Sequence, residues 1–160
     1  MQSSKKLLQR CSVQNTIFFE CDIQTKLGKF IQKNSTMVHN AKRLTQLSEI
    51  TGIPVVATRH VHDKFGDIEP AITEVTHPGR TVFNKHLFSM VNPEVEAHVK
   101  TLIPRDQIVL YGAETHVCVK QTAFDLLERG FNVHLVVDAV SSMCHHDRNT
   151  GIESLKQVGV

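Results

Sequence analysis

Apolar residues fall along this chain in short runs separated by longer stretches of helical periodicity. Ile17-Phe18-Phe19, Val55-Val56-Ala57, Thr81-Val82-Phe83, Ile108-Val109-Leu110-Tyr111 and Val133–Ala139 are rich in β-branched and aromatic residues on both parities. That pattern suits strands covered on both faces of a parallel sheet, with starts expected near Asn15, Pro54, Thr81, Gln107 and Asn132. Between them, Ser35 or Thr36 caps a helix with a stripe of Val38, Ala41, Leu44, Leu47 and Ser48 or Ile50, which ends near Gly52. Asn92-Pro93 opens a second helix, with Glu94 and Glu96 in its first turn, running to about Leu102. Thr115 caps a third, whose inner face is Val119, Ala123, Leu126 and Leu127 and whose C-terminus is Gly130. Ser142 caps a fourth, with Ile152, Leu155 and Val158 on one face. Strands alternating with helices predict an α/β fold, a three-layer α/β/α Rossmann-like sandwich on a parallel sheet with right-handed crossovers. Asp63–Gly79, rich in Asp, Glu, Gly and Pro, reads as a long loop over the carboxyl edge of that sheet.

At 160 residues and 41% hydrophobic content the chain supports one domain, expected over residues 15–160 behind a flexible arm at 1–14. Lys and Arg (18) nearly balance Asp and Glu (16) and are scattered, so no nucleic-acid partner is expected; no apolar run reaches the ~20 residues of a membrane span. Cys11, Cys21, Cys118 and Cys144 form no CxxC pair, which speaks against zinc knuckles and disulfide frameworks and for a reducing, cytoplasmic setting. The arm carries Lys5, Lys6 and Arg10 and no acid before Glu20, a composition shared by mitochondrial transit peptides and plain solvated arms.

The chemistry-bearing residues sit at strand ends. Asp22 follows the first strand and Lys85 ends the third. Cys118 lies just past the fourth, in the first turn of a helix, where unpaired N–H groups and the helix dipole favour a thiolate. In a doubly wound sheet the carboxyl ends of the strands share one crevice. Each residue also has a bland reading: a turn aspartate, an exposed cation, a buried thiol. His60 and His62, two apart, would point to one side of an extended chain, but Asp63 alternates away. A metal needs a third ligand, so neither metal nor cofactor is expected. Glu20 is out of place in a buried strand, and nothing in the local pattern explains it.

Three segments together make the chain similar to a known family: FFECDIQ around Asp22, TVFNKHLFSM around Lys85, and YGAETHVCVKQTAFDLLERGFNVHLVVDAVSS around Cys118. They resemble the isochorismatase-like cysteine hydrolases, which include nicotinamidases, N-carbamoylsarcosine amidases and true isochorismatases. The likeness is nearest to the eukaryotic isochorismatase domain-containing proteins, some protozoan and nematode relatives of which are labelled mitochondria-associated ribonucleases. The resemblance implies a strand order of 3-2-1-4-5 and a catalytic triad of Asp22, Lys85 and Cys118. It also implies an oxyanion hole from the backbone N–H groups of Glu114 and Cys118, with a cis peptide at Ala113–Glu114. Gln24, His60, His62 and Phe88 are the implied substrate-pocket residues, and a homo-oligomer of two or more copies is implied.

The implied activity is hydrolysis of a small amide or carbamoyl C–N bond through a cysteine thioester, with Cys118 alkylating below the ordinary thiol range. The alternatives are a non-catalytic binding or scaffold protein and a ribonuclease. Two departures narrow the analogy. The Asp-x-His metal motif of nicotinamidases is replaced by His60-Val61-His62, and true isochorismatases need no cysteine. Relatives also continue past the position of Val160 into one more strand, so either the natural protein is longer or one sheet edge is bare.

Overall fold

The computed structural model describes residues 10–75 and 78–160. Five parallel strands, β1 (Thr16–Cys21), β2 (Val55–His60), β3 (Arg80–Lys85), β4 (Gln107–Ala113) and β5 (Asn132–Ser141), pair in the order β3-β2-β1-β4-β5. Each start lies within a residue of its sequence expectation. The central strand β1 is buried at every position, as a strand covered on both faces requires. Around the sheet lie helices α1 (Asn34–Thr51), α2 (His62–Phe65), α3 (Pro70–Thr73), α4 (Pro93–Thr101), α5 (Lys120–Glu128) and α6 (His145–Gln157). The order reverses between β1 and β4, which opens the carboxyl-end crevice between Asp22 and the segment after Ala113. Among the described residues no helix is long and apolar enough to cross a membrane.

Several local expectations are corrected. The stretch expected as one loop holds α2 and α3. In α1 the buried positions are Met37, Ala41, Thr45 and Ser48, whereas Leu47 and Ile50 are exposed. The buried hydroxyls are satisfied internally, Thr45 donating to the Ala41 carbonyl and Ser48 to the Ile53 carbonyl. Burying them therefore costs little. β4 runs through Gly112 to Ala113. Gly112 has φ of 126°, and a Cβ there would stand 2.0 Å from the Cys21 carbonyl oxygen; only glycine lets β1 and β4 approach so closely beside the crevice. α6 begins behind Cys144 rather than Ser142, because the Ser142 hydroxyl is already engaged, accepting from the Thr115 N–H at 3.1 Å. β5 slips register between Leu135 and Val140. The loosened backbone is held from outside by Asn40, donating to the Asp138 carbonyl, and by Arg148, donating to Val137 and Val140.

The structure also accounts for Glu20. Its carboxylate, 1% exposed, is ion-paired with the Arg80 guanidinium at the start of β3. The Tyr111 ring, buried on the neighbouring strand β4, stands edge-on to Phe18 at 6.4 Å.

Candidate active site

Asp22, Lys85 and Cys118 converge. Asp22 follows β1 in the left-handed region, φ 50°, a conformation aspartate tolerates better than most residues. Its carboxylate is held from β3 and β2: Lys85 Nζ lies 2.6 Å from Oδ2, and the Thr58 hydroxyl donates to Oδ1 at 2.8 Å. Both side chains of the ion pair are fully buried. Lys85 Nζ also donates to the carbonyls of Leu87 and Phe88 at 3.0 and 2.9 Å. An ammonium has three N–H donors, so this one is saturated by protein and serves as a fixed charge. Burial alone would lower the Lys85 pKa, but Cys21, Asp22 and Cys118 around it outweigh burial and raise it.

Cys118 sits in a π-helical turn, Thr115–Val119, between β4 and α5, and the Ala113–Glu114 peptide before it is cis. Glu114, not Thr115, stands at the cap position; the Thr115 hydroxyl instead donates to the Ser141 carbonyl. Cys118 is thereby one place deeper than the sequence pattern suggests, and its N–H is bonded to the Glu114 carbonyl at 2.8 Å. The expectation of a depressed thiol pKa is therefore overturned. Burial pushes Cys118 up to about 12, Lys85 lowers it and Asp22 raises it again.

Cys118 at rest is a thiol facing a carboxylate. Iodoacetamide should accordingly modify Cys118 at pH 7 at least about tenfold more slowly than exposed Cys11, with a rate still climbing beyond pH 9. Mass-spectrometric labelling against pH checks this, and a plateau reached below pH 8 would mean a resting thiolate. Cys21, at the end of β1, points its thiol at Asp22 Oδ2, 3.6 Å away. Burial, and then Asp22, push the Cys21 pKa well up.

Above the triad is a pocket of about 330 Å³. Its body is apolar, with Leu27, Phe65, Phe88, Val117 and Met143 around the Cys118 thiol. Of the residues expected there, Phe88 and His60 line it; the His60 ring stacks on Phe65 at 5.9 Å and tilts against Phe88 at 6.0 Å. Burial, then Lys85, lower the His60 pKa and keep it a neutral ring. His62 is elsewhere. The chain leaves β2 through Val61 at φ 37° into α2, so the two-residue alternation fails and His62 faces Asp63 and Asp67 outside the pocket. Gln24 lies beneath the wall rather than on it: its amide donates to the Gly66 carbonyl at 2.6 Å and accepts from the His60 N–H at 2.8 Å. It thus fixes the loop that carries Phe65. Among the described residues no group of three or more His, Cys, Asp and Glu is placed to hold a metal.

Sequence reasoning missed the polar rim. Glu114, His116 and Asp147 also line the pocket. His116 lies between the two carboxylates, Nδ1 3.5 Å from Glu114 and Nε2 3.9 Å from Asp147. Burial raises the Glu114 pKa, against a hydrogen bond from the Met143 N–H. The signal was the THVC segment facing α6, but the contact depends on Gly151. A Cβ at Gly151 would meet the backbone of Thr115 and His116 at 2.9 Å, so its absence lets α6 dock against the nucleophile turn.

This arrangement has known counterparts. The model of the isochorismatase domain matches residues 11–160. A Salmo salar isochorismatase domain-containing protein 1 is 39% identical over 146 residues, covering 91% of this chain and 50% of that protein. The secreted isochorismatase effector Isc1 of Phytophthora sojae is 35% identical, covering 99% of this chain and 77% of its own length. Among solved structures, a Caenorhabditis elegans protein described as MAR1 ribonuclease superposes with a TM-score of 0.90 at 36% identity, covering 95% of this chain and 78% of that one. A family model spanning the whole described sheet, and relatives above 30% identity aligned over nearly all of it, place the chain in the isochorismatase family, with that family's hydrolase fold.

Proposed function

We propose that the protein hydrolyses a small amide or carbamoyl C–N bond through a thioester on Cys118. The observation that carries this reading is the fully buried Lys85–Asp22 pair, 2.6 Å apart, beneath a thiol that opens into a 330 Å³ pocket. A buried ion pair is a weak device for stability; set under a nucleophile it supplies a base. Asp22 takes the thiol proton as sulfur attacks the carbonyl carbon, and Lys85 keeps the carboxylate oriented until then. Collapse of the tetrahedral intermediate breaks the C–N bond, and the proton on Asp22 goes to the leaving nitrogen. Water then attacks the thioester, giving a proton to Asp22; as the C–S bond breaks Asp22 passes that proton to the departing sulfur, leaving the acid and the free thiol.

The oxyanion is assigned to the N–H groups of Glu114 and Cys118. The Cys118 N–H is bonded to the Glu114 carbonyl at rest, so it serves by sharing, as N–H groups at helix ends commonly do. The test is a screen of small amides and ureides for ammonia release, with acid-quenched mass spectrometry for the acyl-enzyme. Cys118→Ala should lower the rate at least about a thousandfold. Undiminished release from that variant would end the covalent reading.

The ribonuclease description carried by the Caenorhabditis elegans protein finds little support in this chain. Among the described residues no lysine or arginine lines the pocket, and the carboxylates of Glu114 and Asp147 do, which disfavours a phosphodiester. Self-association belongs to the same proposal, supported by exposed Leu87 and Phe88 beside the pocket and by exposed Val82 on strand β3. A cytoplasmic setting suits the free cysteines. The transit-peptide expectation lies mostly outside the described residues.

A further inference from the structure

We infer that the pocket selects substrates by charge: it takes a small amide or carbamoyl compound with an apolar body and a cationic or hydrogen-bond-donating end, and rejects carboxylates and phosphates. This rests on the hydrolase reading of the pocket and names its substrate class. Three independent features meet in one cavity. Around the thiol the wall is apolar, so the part of the substrate flanking the scissile bond has no strong polar partner. A polar part of the lining has Glu114 and Asp147 on either side of His116. Glu114 is held in place, its carboxylate accepting from the Met143 N–H at 3.2 Å. Finally, among the described residues no arginine or lysine lines the cavity, and the cation beneath it, Lys85, is already spent on Asp22 and two carbonyls. An anion entering would lose its water, meet two carboxylates and find no counter-charge. A cation would exchange water for those same carboxylates. Such discrimination is built from repulsion as much as attraction.

The test reads charge selectivity at Cys118 itself and needs no turnover. Full-length protein is treated with 2-aminoethyl methanethiosulfonate, a cation, and 2-sulfonatoethyl methanethiosulfonate, an anion. In each the thiol proton passes to Asp22, a new S–S bond forms on Cys118, the S–SO2 bond breaks and methanesulfinate leaves. Rates are assigned to Cys118 by mass spectrometry and divided by each reagent's rate with 2-mercaptoethanol.

The cation should be preferred by about tenfold or more at low ionic strength, falling severalfold in Asp147→Asn and again in Glu114→Gln. Exposed Cys11 should show no comparable preference. A preference at Cys118 below twofold, or one unchanged by both substitutions, overturns the inference. Failure of the hydrolase reading would show separately, as no ammonia from any amide despite a charge-selective thiol. If the screen does yield substrates, an anionic amide turned over as fast as its uncharged or amino-bearing analogue would equally overturn it.

Discussion

Asp22→Asn is expected to slow hydrolysis about a thousandfold, within the range of positioned acid–base catalysts, while making Cys118 easier to alkylate near neutral pH. The opposite signs follow from the same two oxygens. In the wild type Asp22 raises the thiol pKa, and Lys85 is the influence that lowers it. Removing the carboxylate charge takes away the first and leaves the second, so the thiolate becomes more populated at any pH below its folded pKa. The asparagine amide can neither receive the thiol proton nor return it to the leaving nitrogen, so turnover collapses even though the sulfur is more often an anion. A substitution that merely loosened the site would move both readouts down. The measurements are ammonia release and iodoacetamide labelling of Cys118 from pH 6 to 10, on both proteins. Equal or slower labelling in the variant would mean that Asp22 is not the group facing the thiol. Lys85, left without its partner, will cost stability, so labelling is to be read below the variant's unfolding midpoint in urea.

The sheet was readable because strand ends announce themselves locally. Apolar runs stop at Asp22, His60 and Lys85, and the alternation with helical periods leaves few ways to order them. What failed did so where a long-range contact overrides local pattern. Thr45 and Ser48 enter the core because their hydroxyls bond the backbone of α1 and of Ile53, which displaces Leu47 and Ile50 to solvent. The cap of the nucleophile turn was misplaced because Thr115 bonds Ser141, a partner 26 residues on. That single position matters for chemistry: it puts Cys118 where its own N–H is bonded at rest to the Glu114 carbonyl. His62 left the pocket because one left-handed residue, Val61, ends the strand alternation. The Glu114–His116–Asp147 rim was out of reach for the same reason, since α6 approaches it only where Gly151 has no side chain.

Arg80→Met is expected to destabilise the fold by about 3–5 kcal/mol, the cost of stranding one member of a buried ion pair. Replacing both partners, Glu20→Leu with Arg80→Met, should be close to neutral or stabilising. The pair is imperfectly satisfied: among the described residues Glu20 Oε2 and Arg80 Nε and Nη1 have no hydrogen-bond partner. Two desolvated charges with unmet valences gain less from each other than well-packed apolar groups of similar volume would.

The sign of the pH dependence discriminates further. Burial raises the Glu20 pKa, and Arg80 is what opposes that rise. Without Arg80 the folded-state pKa climbs higher still, above its value in the unfolded chain. Stability in the variant is then retained at low pH, where the buried carboxyl is neutral, and lost as pH rises through the folded pKa. The deficit of Arg80→Met relative to wild type should therefore grow between pH 5 and pH 8, while that of the double variant stays flat. Urea unfolding at several pH values reads all three proteins. A deficit that shrinks with rising pH, or a double variant as unstable as the single one, would show that Arg80 stabilises β3 through something other than the charge of Glu20.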